Sequence, residues 1–228
     1  MKKIIACLLV VIMTTAFLTS CTKEGEYELS GGVKIILDDT NITEVTGSRG
    51  ESVKIRKKNI KVLFELEEGG SFVMELYPEC APKTVRNFCD LVYDEFYNGI
   101  TFHRIVPGFV AQAGDPTATG TGGSKEKVKG EFEANGYDKN TLKHEKGVVS
   151  MARAQDFDSA TSQFFICLDD ARNLDGEYAA FGKVIYGMDN VDSLAQVAVD
   201  ENAKPYVDVV IKKASIISDA EYKKLTKE

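Results

Sequence analysis

Residues that bind metals or cross-link segments are scarce in this chain, whose 228 residues include two histidines, five cysteines and no tryptophan. His103 and His144 have no ligand-like partners near them in sequence, so neither a metal nor any other cofactor is expected. Cys7 and Cys21 fall in the amino-terminal segment, which leaves Cys80, Cys89 and Cys167, an odd number. Cys80 and Cys89 flank and sit within a predicted helix, where nine residues at a rise of about 1.5 Å each put them about 13 Å apart. A disulfide needs Cα atoms within about 7 Å, so the spacing argues against that pair. Cys167 continues an apolar strand and reads as a small buried hydrophobe. The segment TGTGGSK at Thr119–Lys125 lacks the Gly-Lys-Ser/Thr order of a phosphate loop. Asp156-Phe157-Asp158 opens like a calcium loop, but the residue eleven positions after Asp156 is Cys167 rather than a glutamate. There is no G-x-S-x-G elbow. Hydrolysis and nucleotide binding therefore find no support.

Long hydrophobic runs are also missing. The longest, Ile4 to Leu18, is about 15 residues, short of the roughly 20 that a membrane span needs. Lys2 and Lys3 ahead of it supply the basic flank of an export signal. The ending Leu18-Thr19-Ser20-Cys21 resembles a bacterial lipobox, which implies cleavage before Cys21 and diacylglyceryl attachment to its sulfur. Two acyl chains suffice for lasting attachment to a membrane, at about 0.8 kcal/mol per buried CH₂. Removing residues 1–20 takes away two lysines and no acid, so the net charge of −7 becomes −9. That acidity argues against nucleic acid and against a basic patch gripping anionic lipid.

The expected domains are a signal peptide over 1–20, a lipid-anchored tether over 21–58, a compact domain over 59–217 and a polar tail over 218–228. In the tether, Val33, Ile35 and Leu37 alternate with Lys34, Ile36 and Asp38, and Val53 and Ile55 with Lys54 and Arg56. A short hairpin and an unstructured linker both fit that pattern. In the compact domain, Lys61–Leu66 and Ser71–Tyr77 read as strands joined through Glu67-Glu68-Gly69-Gly70. Pro82 opens a helix on which Val85, Phe88, Cys89 and Val92 recur at helical spacing. Further strands are expected at Ile100–Ile105, Gly108–Ala113, Val148–Ala152, Phe164–Leu168, Ala179–Val184 and Val207–Ile217, with a second short helix at Met188–Val197. Many short strands and two helices point to a mainly β fold, a closed antiparallel barrel.

Chemistry concentrates in FHRIVPGFVAQAGD, Phe102–Asp115. Arg104 precedes Phe109 by five residues and Gln112 follows three later, with Pro107 and Gly108 forcing a turn between. A cation, an apolar wall and an amide in one concave patch suit a neutral, partly apolar amide ligand. This block resembles the signature of the cyclophilin-type peptidyl-prolyl isomerases. SMARAQDFDSATSQFFIC, Ser150–Cys167, and LDGEYAAFGKV, Leu174–Val184, resemble the same family in the same order. The resemblance implies an eight-stranded barrel capped by two helices, a monomer, and proline-containing polypeptides as substrates.

An X-Pro amide rotates over tens to hundreds of seconds across a barrier of about 18–20 kcal/mol. A donor aimed at the proline nitrogen gains strength only as the amide twists, which is selective binding of the transition state. By the family's pattern Arg104 is that donor, Phe109 and Phe165 hold the ring, and Gln112 orients Arg104. Val110 and Leu174 add apolar surface, Ala152 and Arg153 meet the peptide main chain, Gln163 lines the adjacent groove, and Tyr178 stands where many members carry histidine. Asn173 stands where the family usually has an aromatic ring on the rim, which removes apolar contact area and an indole donor and leaves cyclosporin sensitivity open. Arg153 replaces asparagine and is expected to favour acidic neighbours of the proline. The resulting expectation is a lipid-anchored prolyl isomerase serving exported proteins. A proline-binding chaperone or adaptor without turnover stays open as the alternative, on account of Asn173.

Overall fold

The computed structural model describes residues 60–227, together with the backbone of four short strands ahead of them. Those four are β1 (Glu26–Leu29), β2 (Val33–Ile36), β3 (Thr43–Thr46) and β4 (Ser52–Ile55), an antiparallel meander in sequence order. The alternation at Val33 and at Val53, which fits a hairpin and a linker alike, falls on β2 and β4. The proposed signal peptide 1–20 and Cys21 lie outside the described residues.

The main domain begins with β5 (Ile60–Leu66), where Ile60, Val62, Phe64 and Leu66 point into the core at period two. Gly69 and Gly70, both at positive φ, turn the chain into β6 (Ser71–Leu76), which pairs back on β5. Helix α1 (Pro82–Tyr93) follows and buries Val85, Phe88, Cys89 and Val92, as its spacing predicts. Its first residue before the helix is Ala81, which has no side chain to cap it. Glu131, far along the chain, does that work: it accepts hydrogen bonds from the backbone N–H groups of Lys83 (3.0 Å) and Thr84 (2.8 Å) and from the Thr84 hydroxyl (2.8 Å). A carboxylate at this end also suits the helix dipole.

Next come β7 (Arg104–Val106), β8 (Val110–Ala113), β9 (Val148–Met151), β10 (Phe164–Cys167), β11 (Ala180–Tyr186), helix α2 (Met188–Leu194) and β12 (Ile211–Ile217). Strands β5 to β12 form one antiparallel sheet in the order β12-β5-β6-β11-β9-β10-β8-β7. Its concave side is filled by an aromatic centre, with Phe88 within 4.9–6.3 Å of Phe64, Tyr97, Phe164 and Phe181.

The expected closed barrel is corrected to an open one. The sheet curls into a half-barrel whose edges, β7 and β12, share no ladder. The chain ahead of β7 instead meets the start of β12: the Gly99 N–H donates to the Ile211 carbonyl (2.7 Å), the Ile211 N–H to the Ile100 carbonyl (2.8 Å) and the Phe102 N–H to the Val209 carbonyl (2.9 Å), with an isolated bridge between Thr101 and Val210. The physical reason is at β7, which is three residues long before Pro107-Gly108 ends it, and whose Ile105 N–H donates to Ala203 (2.8 Å) in a loop. The polar tail carries a further element. Residues Asp219–Leu225 form a third helix, α3, opened by a capping box in which Ser218 accepts from the Glu221 N–H (3.3 Å) and the Ser218 N–H donates to the Glu221 carboxylate (2.7 Å).

Candidate active site

Directly paired residues on neighbouring strands share a face of a sheet. The register therefore places Arg104 (β7), Gln112 (β8), Phe165 (β10), Ser150 (β9) and Ala180 (β11) in one row across five strands. Ile105, Ala111, Ile166 and Val149, one residue along, belong to the aromatic core on the other face. The row thus lies outside the core.

On this outer face a second apolar cluster forms. Val110, Phe165, Cys167 and Ala180 are buried in it, and Phe109, Ala152, Leu174 and Tyr178 pack against them half-exposed. Six of the residues singled out in the sequence are brought together here from four separate segments. Phe109 reaches the cluster because Gly108 adopts φ 72° and the Phe109 N–H closes the turn on the Val106 carbonyl (3.0 Å). The Phe165 ring lies edge-on to Tyr178, with centroids 5.8 Å apart. Asn173 is exposed on the turn Arg172–Leu174, so the rim there is polar.

Arg104 stands half-buried at the edge of the cluster and makes no hydrogen bond or ion pair among the described residues. Its donor fork is free. Gln112, expected to orient it, instead donates its amide to the Gln163 side chain (2.8 Å). Gln163 in turn donates to the carbonyls of Gly120 (3.1 Å) and Gly122 (2.7 Å), which closes a groove of about 390 Å³ beside the cluster. The loop that carries those glycines is wound around Asp115, which accepts from the N–H groups of Thr117, Thr119, Gly120 and Gly122 at 2.7–3.1 Å. Burial alone would raise the Asp115 pKa, but the Thr117 hydroxyl and these backbone donors bring it down to about 2.

Arg153 lines this groove, but most of its guanidinium is turned to protein partners. The side chain is 10% exposed, and its guanidinium donates twice to the Glu177 carbonyl (3.0 and 3.1 Å) and once to the Ala154 carbonyl (3.0 Å).

Sequence reasoning missed His144. Its Nδ1 lies 3.0 Å from Asp175 and its Nε2 3.0 Å from the Ser150 hydroxyl, while its ring stacks under Phe165 at 6.0 Å. Nδ1–H donating to the carboxylate leaves Nε2 to accept from Ser150. Burial lowers the His144 pKa, against the pull of Asp175, which favours the neutral ring. The arrangement has the members of a hydrolytic triad, but Ser150 is fully buried and can reach no substrate. His144 is a prop for the ring above it. The signal was absent from the sequence because Asp175 lies 31 residues away.

The sequence model of a family described as cyclophilin-type peptidyl-prolyl cis-trans isomerase matches residues 61–216. The chain belongs to this family. Over 143 residues it is 45% identical to peptidyl-prolyl cis-trans isomerase B of Bacillus subtilis, covering 60% of this chain and 96% of that protein. A peptidyl-prolyl cis-trans isomerase of Helicobacter pylori is 45% identical over 115 residues, 50% of this chain and 67% of that protein. Among solved structures, a cyclophilin-type isomerase of Cryptosporidium parvum, crystallised in the presence of the dipeptide Ala-Pro, superposes with a TM-score of 0.64 at 33% identity, over 70% of this chain and 99% of that one. This cyclophilin is accordingly a peptidyl-prolyl cis-trans isomerase, and Arg104, Phe109 and Phe165 occupy its outer face rather than its core.

Proposed function

We propose that this cyclophilin turns X-Pro bonds of exported polypeptides, as a monomer held outside the cytoplasmic membrane by a lipid on Cys21. The observation that carries the site assignment is the free Arg104 fork at the edge of a half-exposed apolar cluster. The proline ring rests on Phe109, Val110, Phe165 and Leu174, with Tyr178 as a wall. Arg104 donates to the proline nitrogen as the amide twists and that nitrogen recovers its lone pair. Because an arginine stays charged at any working pH and holds its donors in a rigid plane, no proton need move. Gln112, steadied by its bond to Gln163, and the Ala152 strand end meet the substrate main chain, while Gln163 shapes the adjacent groove through its bonds to Gly120 and Gly122. Anchoring is supported by Leu18-Thr19-Ser20-Cys21 behind a basic, apolar leader.

The test is a protease-coupled assay on an Ala-Pro-Phe peptide. Removing one positioned donor costs about 10²–10³-fold in turnover, so Arg104→Ala is expected to fall by that much. A variant that still bound the peptide while the parent showed no turnover would favour a non-catalytic proline-binding module instead. Metabolic labelling with a fatty acid, lost in Cys21→Ser, tests the anchor.

A further inference from the structure

We infer that Arg153 is a positioning residue that fixes the wall of the proline site, acting through Tyr178 rather than through its charge. The inference rests on the proposed seating of the proline ring beside Phe165 and Tyr178.

A cation meant for substrate keeps its donors unengaged and its head in water. Arg153 does neither, being 10% exposed with three hydrogen bonds to main-chain carbonyls and an ion pair with the half-exposed Glu177 carboxylate at 3.5 Å, so its charge is already met within the protein. Two of those bonds, from Nε and Nη2, converge on the Glu177 carbonyl, the residue that immediately precedes Tyr178. The same guanidinium lies 4.6 Å from the Tyr178 ring and 4.6 Å from the Phe157 ring, with Phe132 at 5.3 Å. One planar group thus holds both the backbone at 177 and the ring at 178. Tyr178 in turn meets Phe165 edge to face at 5.8 Å. On its other flank, Arg153 follows Ala152, whose N–H donates to the Gln163 carbonyl (2.9 Å) at the groove. Arg153 therefore works as a flat spacer between the groove and the apolar cluster. Lysine could keep the charge but could not form two parallel bonds to one carbonyl while lying flat against rings.

The experiment uses the full chain and two X-Pro peptides, one with an acidic and one with a basic residue beside the proline. Arg153→Ala is expected to raise KM about fivefold for both peptides while kcat changes less than twofold. Arg153→Lys should do the same although the charge remains. In a Tyr178→Leu background, adding Arg153→Ala should change KM less than twofold, because the ring it positions is gone. A loss that differs between the two peptides, or full recovery in Arg153→Lys, would assign the role to charge and overturn the inference. So would an unchanged KM in Arg153→Ala, or an additive loss on top of Tyr178→Leu. If Arg153→Ala does not fold, Arg153→Lys in the parental and Tyr178→Leu backgrounds makes the same discrimination. Failure of the proline-site reading itself would show separately, as parental activity in Arg104→Ala.

Discussion

Arg104 and Gln112 face each other directly across β7 and β8, yet the Gln112 amide turns away to Gln163, 2.8 Å off. The arginine is therefore positioned by its strand and by the turn at Pro107-Gly108, with no side-chain partner among the described residues to orient it. A fork left free in this way can give its full donor capacity to a twisting amide.

Charge alone should not replace that fork. Arg104→Lys keeps the cation but loses the rigid plane, and kcat/KM is expected to fall about 100-fold, equivalent to about 2.7 kcal/mol at 1.36 kcal/mol per decade. Steady-state kinetics on the Ala-Pro-Phe peptide checks this, and a lysine variant within threefold of the parent would defeat it.

Gln163 joins Gln112 to the loop carrying Gly120 and Gly122. Gln163→Leu removes all three hydrogen bonds at once, each contributing about 1 kcal/mol. The urea midpoint should drop by an amount corresponding to about 1–3 kcal/mol, and KM should rise as the groove loosens. An unchanged KM would show that the groove takes no part in binding.

Helix α1 depends on a carboxylate from another part of the chain. Glu131→Ala leaves the Lys83 and Thr84 N–H groups and the Thr84 hydroxyl without their acceptor. The expected cost is about 2–3 kcal/mol in urea unfolding, with kcat/KM of the folded protein unchanged within twofold. The site is on the outer face of the sheet, so a large kinetic effect would be unexpected.

Stability should follow pH in two steps. His103 and His144 both have pKa values lowered by burial, so the unfolded chain binds their protons more tightly. Their contribution is complete above the unfolded value of about 6.5 and declines as pH falls below it. Asp115, held at about 2, contributes above about 4 and loses that contribution as pH falls toward 2. Urea midpoints from pH 8 to pH 3 should be level above 7, slope down below 6.5 and steepen below 4. Asp115→Asn should remove part of the second step, and an unaltered profile in that variant would count against the assignment.

Lys61 lies on the outward side of β5 yet is only 4% exposed, covered by α3: Asp219 is 2.9 Å from its ammonium, Glu75 3.6 Å and the Tyr222 ring 5.3 Å. Breaking a buried pair costs more than replacing it. Asp219→Ala is expected to destabilise by about 1–3 kcal/mol, whereas Lys61→Met should stay within about 1 kcal/mol of the parent. Chemical denaturation of both variants decides, and the reverse ranking would contradict the argument.

Much of the architecture was legible because its signals are local. Alternation marked β5 and β6, Pro82 and the run to Val92 marked α1, and Pro107-Gly108 marked the turn that lifts Phe109 into place. The capping box at Ser218 and Glu221 was equally local, but among eleven mostly polar residues it was read as a tail. Barrel closure was misjudged for a different reason. Strand patterns predict that strands exist, and say nothing about whether the two outermost ones meet.

What the amino-acid order determined by itself was therefore the set of elements and the identity of the residues that share the outer face. Period-two alternation and turn residues act over a few positions and need no partner. Only the tertiary structure decided which side chains are free and which are engaged: Gln112 with Gln163, Arg153 with Glu177 and Tyr178, His144 with Asp175 and Ser150, Glu131 with α1. Several of those contacts close gaps of tens of residues, and a hydrogen bond is chosen by distance in space, which separation along the chain does not encode.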